Sequence, residues 1–415
     1  MTQLDLDFVR SQFPAFSSPV LSGHAFFENA GGSYPCAAVV DRLHRFYTDR
    51  KVQPYGPYPG AQAGGAEMDE AQDRLAAMMG VTGPQLSFGP STSANTFVLA
   101  QAVRVWLRGK NAAIVVTNQD HEANSGVWRR LADEGIEVRE WQVDPATGHL
   151  DLAGLKALLA DGRVRLVAFP HCSNVVAEIN PVAEIAAMAR AAGARTVVDG
   201  VSYAPHGFPD FPALGCDVYV FSAYKTFGPH QGIMLITEEF GAELPAQCHF
   251  FNVGALNKRF TPAGPDHAQI AAGAGMADYV DALHGHHFGG DPSDRPANAA
   301  ERNRLVHDLM RAQEVAVIAP LLDYLAARND LRLIGPRQAA DRAPTVAVAL
   351  DCAAEPVSEA LGQRGIACWA GDFYAVRPLQ AMGVDLARGV LRMSAAHYTS
   401  ATDVERLIKA LDEVL

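Results

Sequence analysis

Polar side chains that could do chemistry follow four apolar segments of this sequence. They are AAIVVTN (112–118) before His121, RVRLVAF (163–169) before Asn174, ARTVV (194–198) before Asp199, and DVYVF (217–221) before Ser222 and Lys225. If the segments are parallel strands, these groups meet at one edge of a sheet, beyond the carboxyl ends of the strands, where ligands bind. An imidazole, an amide, a carboxylate and an amine gathered there predict a binding or catalytic site.

Lys225 is the most unusual of these residues. It follows an apolar segment that is typical of a buried strand, and lysine is among the residues least often found inside a fold. A buried amine is accounted for if it is in covalent use, as in a Schiff base with a carbonyl compound.

Three hydroxyl residues, Ser91, Thr92 and Ser93, begin the helix-like segment GPSTSANTFVLAQAV (89–103). One interpretation is a plain N-cap. The other is a phosphate site, because the free N–H groups and the dipole at a helix N-terminus favour an anion. Phosphate site, carboxylate, stacking imidazole and lysine together describe a pocket for pyridoxal phosphate, whose ring accepts carbanion electrons when a carboxylate keeps its nitrogen protonated.

The elements that would position these groups alternate between strand and helix. GVWRRLADEG (126–135) and PVAEIAAMARAAG (181–193) read as helices, and they separate the apolar segments named above. Continuous apolar strands between helices predict an α/β fold with a mainly parallel, seven-stranded type of sheet covered on both faces.

The C-terminal part predicts a smaller α/β domain. TVAVALD (345–351), GIACWA (365–370) and GVLRMS (389–394) read as strands, and Ser400 to Asp403 form a capping-box pattern before the last helix. The polar, Gly- and Pro-rich stretch 285–303 indicates a boundary. The domains expected are 1–20, packing with the small domain, a large domain at 21–290 and a small domain at 291–415.

Composition limits the class of protein. The 415 residues are 49% hydrophobic and 19% charged, so a compact globular protein is expected. The net charge of −12 and the absence of a basic cluster argue against nucleic-acid and membrane partners. Six scattered cysteines without a CxxC pair, and an acidic N-terminus, indicate a reducing, cytoplasmic setting. No metal is expected at His284, His286 and His287, which lack a carboxylate or cysteine at ligand spacing.

The sequence resembles the class V aminotransferase family of fold-type I pyridoxal-phosphate enzymes. It is most similar to the cysteine desulfurase and selenocysteine lyase branch, including the cysteine desulfurase-like proteins. The motifs that carry the resemblance run in order along nearly the whole chain: FFENAGGSYP (26–35), STSAN (91–95), DHEAN (120–124), HCSNVVAEINPV (171–182), VVDGVSYAPHGFPDF (197–211), FSAYKTFGPHQG (221–232) and LRMSAAHYTSATDVERLIKAL (391–411).

The resemblance implies roles around the cofactor ring. Lys225 would form the Schiff base and move the Cα proton of the substrate. Asp199 would pair with the pyridine nitrogen, His121 would stack on the ring, and Asn174 would contact the phenolic oxygen.

At the phosphate end, the resemblance implies contacts from Ser91, Thr92 and Ser222. Two positions depart from the family. Ser202 stands where a glutamine is common, and Tyr224 replaces a histidine just before the lysine, although its hydroxyl could still reach phosphate.

On the substrate side, the resemblance implies that Arg392 binds the substrate carboxylate, a bidentate task that suits guanidinium. Asn29, Ala30 and Gly31 would line the same side. Arg377 is a second candidate for a carboxylate contact.

Two further departures bear on mechanism. Desulfurases carry a nucleophilic cysteine on a loop that corresponds to AGDFYAVRP (370–378), which holds none; Cys368 lies earlier and reads as a core thiol. Pro265 replaces a threonine that the partner subunit lends to the phosphate in the homodimers of this family.

The expected activity is exchange of Schiff bases with an amino acid and loss of its Cα proton. The leading hypothesis is a cysteine desulfurase-like lyase that works by β-elimination without the loop cysteine. Transamination and epimerisation would use the same residues. A hypothesis of another class is a non-catalytic, cofactor-binding regulatory protein.

Overall fold

The chain folds around a seven-stranded and a four-stranded sheet, each packed against helices, and a two-stranded pair. The computed structural model describes residues 3–289 and 299–415. The strands are β1 (Ala25–Phe26), β2 (Leu86–Gly89), β3 (Ala113–Thr117), β4 (Glu137–Trp141), β5 (Val164–Pro170), β6 (Arg195–Asp199), β7 (Val218–Ser222), β8 (Gly232–Ile236), β9 (Leu331–Ile334), β10 (Thr345–Leu350), β11 (Ile366–Ala367), β12 (Trp369–Gly371) and β13 (Val390–Ser394).

The α-helices connect and cover these strands. They are α1 (Leu6–Ser11), α2 (Ala37–Arg45), α3 (Pro59–Met78), α4 (Thr92–Leu107), α5 (Glu122–Arg129), α6 (Leu152–Leu159), α7 (Val182–Ala191), α8 (Phe211–Leu214), α9 (Glu238–Glu243), α10 (His267–Phe288), α11 (Ala299–Ala326), α12 (Ala354–Gly362), α13 (Val376–Ala381) and α14 (Ala401–Val414).

A seven-stranded sheet forms the centre of the larger part, with strand order β2-β8-β7-β6-β5-β3-β4. All neighbouring pairs are parallel except the two made by β8, which runs antiparallel to both β2 and β7. The predicted α/β fold with a mainly parallel seven-stranded sheet is therefore confirmed. Because β3, β5, β6 and β7 are parallel, their carboxyl ends lie at one edge.

Both faces of this sheet are buried, since successive side chains of a strand point to opposite faces. Val115 of β3 joins the apolar cluster beneath α7 and α10, whereas Ile114 and Val116 join the cluster beneath α4 and α5. This double burial explains why the strands read as continuous apolar runs rather than as alternating ones.

Two predicted elements differ in their bounds. The helix expected at 126–135 begins earlier, at Glu122, because the His121 side chain accepts a hydrogen bond from Ala123 N and caps it. The single strand expected at 365–370 is two strands. β11 pairs with β1, and β12 pairs with β13 in another sheet, so the chain changes partner at Cys368.

The smaller sheet is antiparallel, with order β12-β13-β10-β9, and it packs against α11, α12 and α14. The capping box predicted at Ser400 and Asp403 begins α14. The boundary predicted within 285–303 falls largely on residues 290–298, outside the described residues, so the domain division remains a prediction.

The N-terminal segment contacts both parts of the chain. Arg10 forms an ion pair with Asp403 of α14, whereas Phe8 stacks on His286 of α10 at 3.8 Å between ring centroids. His286 Nε2 donates to Asp5 Oδ2 at 2.9 Å. Among residues 3–289 and 299–415, no helix is both long and apolar enough to cross a bilayer.

Candidate active site

The predicted cofactor residues line a single pocket at the carboxyl edge of the seven-stranded sheet. Its volume is ≈ 530 Å³, including the space at its mouth. The nine residues predicted for cofactor binding all line it: Ser91, Thr92, His121, Asn174, Asp199, Ser202, Ser222, Tyr224 and Lys225. The structure therefore brings together groups that are up to 134 positions apart in sequence (91 to 225).

Lys225 ends a short turn that follows β7, and its partly exposed side chain lines the pocket. Burial lowers the pKa of its amine to about 8, and the positive charge of Arg392 lowers it further in the same direction, against the carboxylates of Asp199 and Glu28. An amine with this pKa is partly neutral near pH 7.5, which is the form that attacks a carbonyl carbon.

Asp199 is the last residue of β6 and is 4% exposed. Its Oδ1 accepts a hydrogen bond from Val201 N at 2.8 Å. Burial raises the pKa of this carboxyl to about 6, while the Val201 N–H and the Lys225 charge oppose that rise. The carboxyl group is therefore an anion at neutral pH, and a cationic donor placed beside Oδ2 would stabilise it.

His121 presents a neutral imidazole to the pocket. Its Nδ1 accepts from Ala123 N at 3.0 Å, so the ring proton lies on Nε2. Burial lowers the pKa of this imidazole to about 4, and the charges of Lys225 and Arg392 act in the same direction. The ring lies 5.4 Å from that of Tyr374, centroid to centroid.

Asp120 supports the His121 turn, and its role was missed in the sequence. Thr117 Oγ1 donates to its Oδ2 at 2.8 Å, and Asn124 Nδ2 donates to its Oδ1 at 3.0 Å. Burial, together with the charge of Asp199, raises the pKa of the Asp120 carboxyl well above its usual value. The sequence signal was its place between a strand end and a helix start, where acidic caps are common.

The N-terminus of α4 forms one end of the pocket, where Ser91, Thr92 and Ser93 line it. Ser91 is the N-cap, and its hydroxyl accepts from Ala94 N at 3.1 Å, as the plain-cap interpretation requires. Thr92 Oγ1 and Ser222 Oγ lie 2.8 Å apart, both buried. Gly232 of β8 lets the backbone at the start of α4 pack closely against this strand, because a Cβ at position 232 would lie 2.4 Å from the Ser91 carbonyl carbon.

Tyr224 and Ser202 complete this end of the pocket. The Tyr224 ring stacks on His230 with 4.7 Å between centroids and 5° between planes. Burial raises the pKa of the Tyr224 phenol, so its hydroxyl stays protonated and can donate a hydrogen bond to an anion.

Asn174 carries an unused polar atom into the pocket. Its Nδ2 donates to the carbonyl of Phe373 at 2.9 Å. Its Oδ1 is buried and has no hydrogen-bond partner within the described chain. A buried polar atom without a partner costs about 1–3 kcal/mol, so this position favours a ligand that supplies one.

Arg392 of β13, the predicted carboxylate ligand, lies next to this pocket rather than in its wall, and it is already paired. Its Nη2 donates to Glu28 Oε1 at 2.8 Å, and its Cζ lies 3.8 Å from the centroid of the Phe373 ring. Glu28 was not singled out in the sequence, although it stands beside Asn29 in a matched motif.

The other predicted substrate residues are held by the C-terminal part. Asn29 Nδ2 donates to Ser394 O at 2.8 Å, and its Oδ1 accepts from the Tyr398 hydroxyl. Ala30 N donates to Ser394 Oγ at 2.8 Å. Gly31 is a glycine for a steric reason, because a Cβ there would lie 2.3 Å from Glu28 Oε1. Their substrate contacts remain a prediction.

The 370–378 loop lies against Arg392 and Asn174 through Phe373. Phe373 and Tyr374 have φ angles of 54° and 57°, a left-handed conformation that is uncommon for aromatic residues. Cys368 lies before the loop, and burial raises the pKa of its thiol to about 12, so the reactive thiolate is scarce. Arg377 Nε lies 3.5 Å from the Glu122 carboxylate, and its contact with a substrate carboxylate remains a prediction.

Comparisons with known proteins agree with this architecture. The family model described as aminotransferase class-V matches residues 25–247 and 302–407. The chain therefore belongs to the class-V aminotransferase family, and it is an enzyme of that family.

Individual proteins similar to this chain include two curated relatives and a solved structure. The aminotransferase-like protein FGM3 of Gibberella zeae is 29% identical over 100% of this chain and 99% of that protein. A probable cysteine desulfurase of Pseudomonas aeruginosa is 30% identical over 98% of this chain and 97% of that protein. The apo cysteine desulfurase from Thermococcus onnurineus shares the fold, with a TM-score of 0.84 at 21% identity, covering 100% of this chain and 98% of that one.

Proposed function

We propose that this protein is a pyridoxal-phosphate enzyme that removes the Cα proton of an amino acid and eliminates a β-substituent. The observation that carries the proposal is Lys225, a buried amine of lowered pKa at the carboxyl end of β7, facing Asp199 in an enclosed pocket. The similarity to a probable cysteine desulfurase supports lyase chemistry rather than another reaction of the family.

The residues present fit the cofactor at each of its ends. The helix N-terminus with Thr92 and Ser222 suits a phosphate, since free N–H groups and hydroxyls are the donors that an anion needs. Asp199 suits a protonated ring nitrogen. Oδ1 of Asn174 has no partner among the described residues, so a polar group of the ligand would donate a hydrogen bond to it.

In this proposal the chain supplies binding, orientation and proton transfer. Pyridoxal phosphate, when bound, supplies an electron sink for the carbanion formed at Cα. Lys225 takes the Cα proton, and its pKa near 8 suits a base that works close to neutral pH. His121 would pack as an uncharged ring against the cofactor, and Arg392 would receive the carboxyl group of the substrate.

Elimination without a protein thiol is supported by the 370–378 loop. It contains no cysteine, and Phe373 instead packs on the Arg392 guanidinium. The β-substituent would therefore leave directly, with the electron pair of the broken Cβ bond, rather than be passed to a cysteine of this loop. Substrates with a sulfur or selenium substituent at Cβ are the proposed class.

A homodimer with the site near its interface is part of the proposal, and so is a cytoplasmic location. Phe250 and Phe251 support the dimer, because they are 88% and 70% exposed and large apolar side chains are seldom left in water together. Light scattering of the purified protein tests this part, and a monomer at all concentrations would contradict it.

The experiment that tests the activity adds a panel of β-substituted amino acids to the cofactor-loaded protein. Visible absorption, keto acid, ammonia and sulfide are followed together. We expect keto acid and ammonia to accumulate while the bound cofactor keeps its colour. Bleaching that is reversed by a keto acid would instead identify an aminotransferase.

Lys225→Ala should lose activity by about a thousand-fold, because it removes the base for the Cα proton. Lys156→Ala, which removes an exposed lysine on α6, is the matched control and should keep the wild-type rate. A Lys225→Ala protein that turns over substrate like Lys156→Ala would refute the assignment of the base.

A further inference from the structure

The carboxyl-binding arginine of this site is neutralised by a glutamate of the same chain. Arg392 is 4% and Glu28 19% exposed at the side chain, and their Nη2–Oε1 distance is 2.8 Å. Two other titratable groups, Lys225 and Cys368, lie near the pair. The charge of Lys225 lowers the pKa of Glu28, and the charge of Glu28 raises the pKa of both Lys225 and Cys368. Breaking a buried ion pair of this kind is costly, because it leaves a charge without a partner.

The remaining surface of the guanidinium is also restricted. The Phe373 ring covers one face at 3.8 Å, and Nη1 donates to the Asn174 carbonyl at 3.4 Å. Nε is buried and has no partner within the described residues. A free carboxylate binds arginine best through two parallel N–H groups. Here Nε is unpartnered, whereas Nη2 is shared with Glu28.

The charge of the substrate's carboxyl group decides whether it fits beside the Arg392–Glu28 pair. A free amino acid would place a second carboxylate against one buried guanidinium, and like charges that share a buried site repel each other. A carboxyl group converted to an amide, ester or thioester brings no charge, and its carbonyl oxygen needs only one N–H donor. Glu28 can then remain paired with Arg392.

We propose that Glu28 determines the charge of the carboxyl group that this site accepts, favouring an amino acid with a neutral carboxyl derivative over the free amino acid. This inference rests on the proposed function, in which Arg392 receives that group. Gly31 is consistent with it, because a side chain there would force Glu28 out of its position against Arg392. Glu28 thus acts on substrate through Arg392 and determines specificity rather than chemistry.

The test measures binding rather than turnover. Calorimetry gives dissociation constants of the cofactor-loaded protein for 2-aminoisobutyrate, which has no Cα hydrogen, and for its primary amide. The ratio of the acid constant to the amide constant is compared between wild type and Glu28→Gln. The different basicities of the two amines cancel in this comparison, since they are the same for both proteins.

Glu28→Gln should lower this ratio about tenfold, because the freed arginine then attracts a carboxylate. Glu178→Gln is the matched control. It removes another partly buried carboxylate, 13% exposed, which contacts His149 rather than Arg392, and it should leave the ratio unchanged. A change smaller than threefold in Glu28→Gln would overturn the inference.

The outcomes separate this inference from the proposed function. If wild type binds both compounds and the ratio does not respond to Glu28, only the inference fails. If wild type binds neither compound, the inference and the proposed function fail together. Should Glu28→Gln not fold, Glu28→Asp shortens the side chain by one methylene, draws the carboxylate away from Arg392 and should shift the ratio in the same direction.

Discussion

Burial shifts the pKa values of the reactive residues in the pocket more than neighbouring charges do. Lys225, Asp199 and His121 are each shifted first by loss of water and only then by nearby charges. In each case burial favours the neutral form, so the amine and the imidazole lose protons more easily and the carboxyl holds its proton longer. The site is therefore a region where lysine can be a nucleophile at neutral pH.

The rate at which the cofactor-free protein captures pyridoxal phosphate should depend on the pKa of Lys225. Because this pKa is lowered to about 8, the amine is charged below pH 8 and neutral above it. We expect the rate to rise about tenfold per pH unit below 8 and to level off above. Stopped-flow absorption between pH 6 and 9.5 measures it.

Nα-acetyl-lysine in the same buffers is the control for this prediction. Its amine has the ordinary pKa of about 10.4, so its rate should keep rising over the whole range. A protein rate that still rises tenfold between pH 8.5 and 9.5 would show that Lys225 is not shifted.

At the scale of elements, the site is made by the ends of strands and the start of one helix. The parallel strands β3, β5, β6 and β7 deliver their following residues to the same edge, and α4 points its N-terminus at that edge. The 370–378 loop packs on Arg392 through Phe373 and lies beside His121 through Tyr374. Their left-handed backbone costs about 1–3 kcal/mol each and is held by contacts such as the Asn174–Phe373 hydrogen bond.

Thr92→Val should weaken binding of pyridoxal phosphate. The substitution keeps the shape of the side chain and removes the hydroxyl that pairs with Ser222 Oγ at the start of α4. Loss of one buried hydroxyl partner costs about 1–3 kcal/mol, which corresponds to a roughly 5- to 150-fold rise in Kd. Equilibrium dialysis of the cofactor-free protein measures the change.

Thr48→Val is the matched control, because Thr48 is exposed and its hydroxyl donates to the carbonyl of His44 in another part of the chain. It should bind the cofactor like wild type. Equal Kd values for Thr92→Val and Thr48→Val would remove the α4 N-terminus from the phosphate site.

The whole molecule is held together by a buried charge cluster as well as by apolar cores. Glu314 of α11 is fully buried, and its Oε1 lies 2.8 Å from His206 Nδ1, in the turn that follows β6. Arg311 contacts its other oxygen at 3.3 Å. Burial alone would raise the pKa of Glu314, but the charges of His206 and Arg311 keep it below the usual value. The cluster links the helix that precedes the small sheet to the large sheet.

Glu314→Ala should lower the free energy of unfolding by about 3–5 kcal/mol, because it leaves His206 and Arg311 without their buried partner. Urea unfolding followed by circular dichroism measures the shift in midpoint. Glu405→Ala, at an exposed position of α14, is the control and should change the midpoint little. Equal midpoints for the two variants would contradict a structural role for this cluster.

Local signals in the sequence were enough to predict the α/β class and the parallel strands, which the structure confirms. They are apolar runs between helices, hydroxyls at a helix start and polar residues directly after strands. The cofactor residues predicted from these signals and from the family resemblance line one pocket, and their roles remain a prediction. Lys225 and Asp199 each carried such a signal, and parallel pairing alone was enough to place them at one edge. Thr92 carried the signal of a helix start, and only the fold shows that this helix begins at the same edge.

Which polar groups already have partners within the chain became clear from the folded structure alone. That Glu28 pairs with Arg392, that Phe373 covers the guanidinium, and that the chain changes sheets at Cys368 all depend on contacts between distant segments. No periodicity or spacing encodes them, because they arise from packing after the strands are assembled. Burial, which sets the pKa of Lys225, likewise exists only in the folded chain.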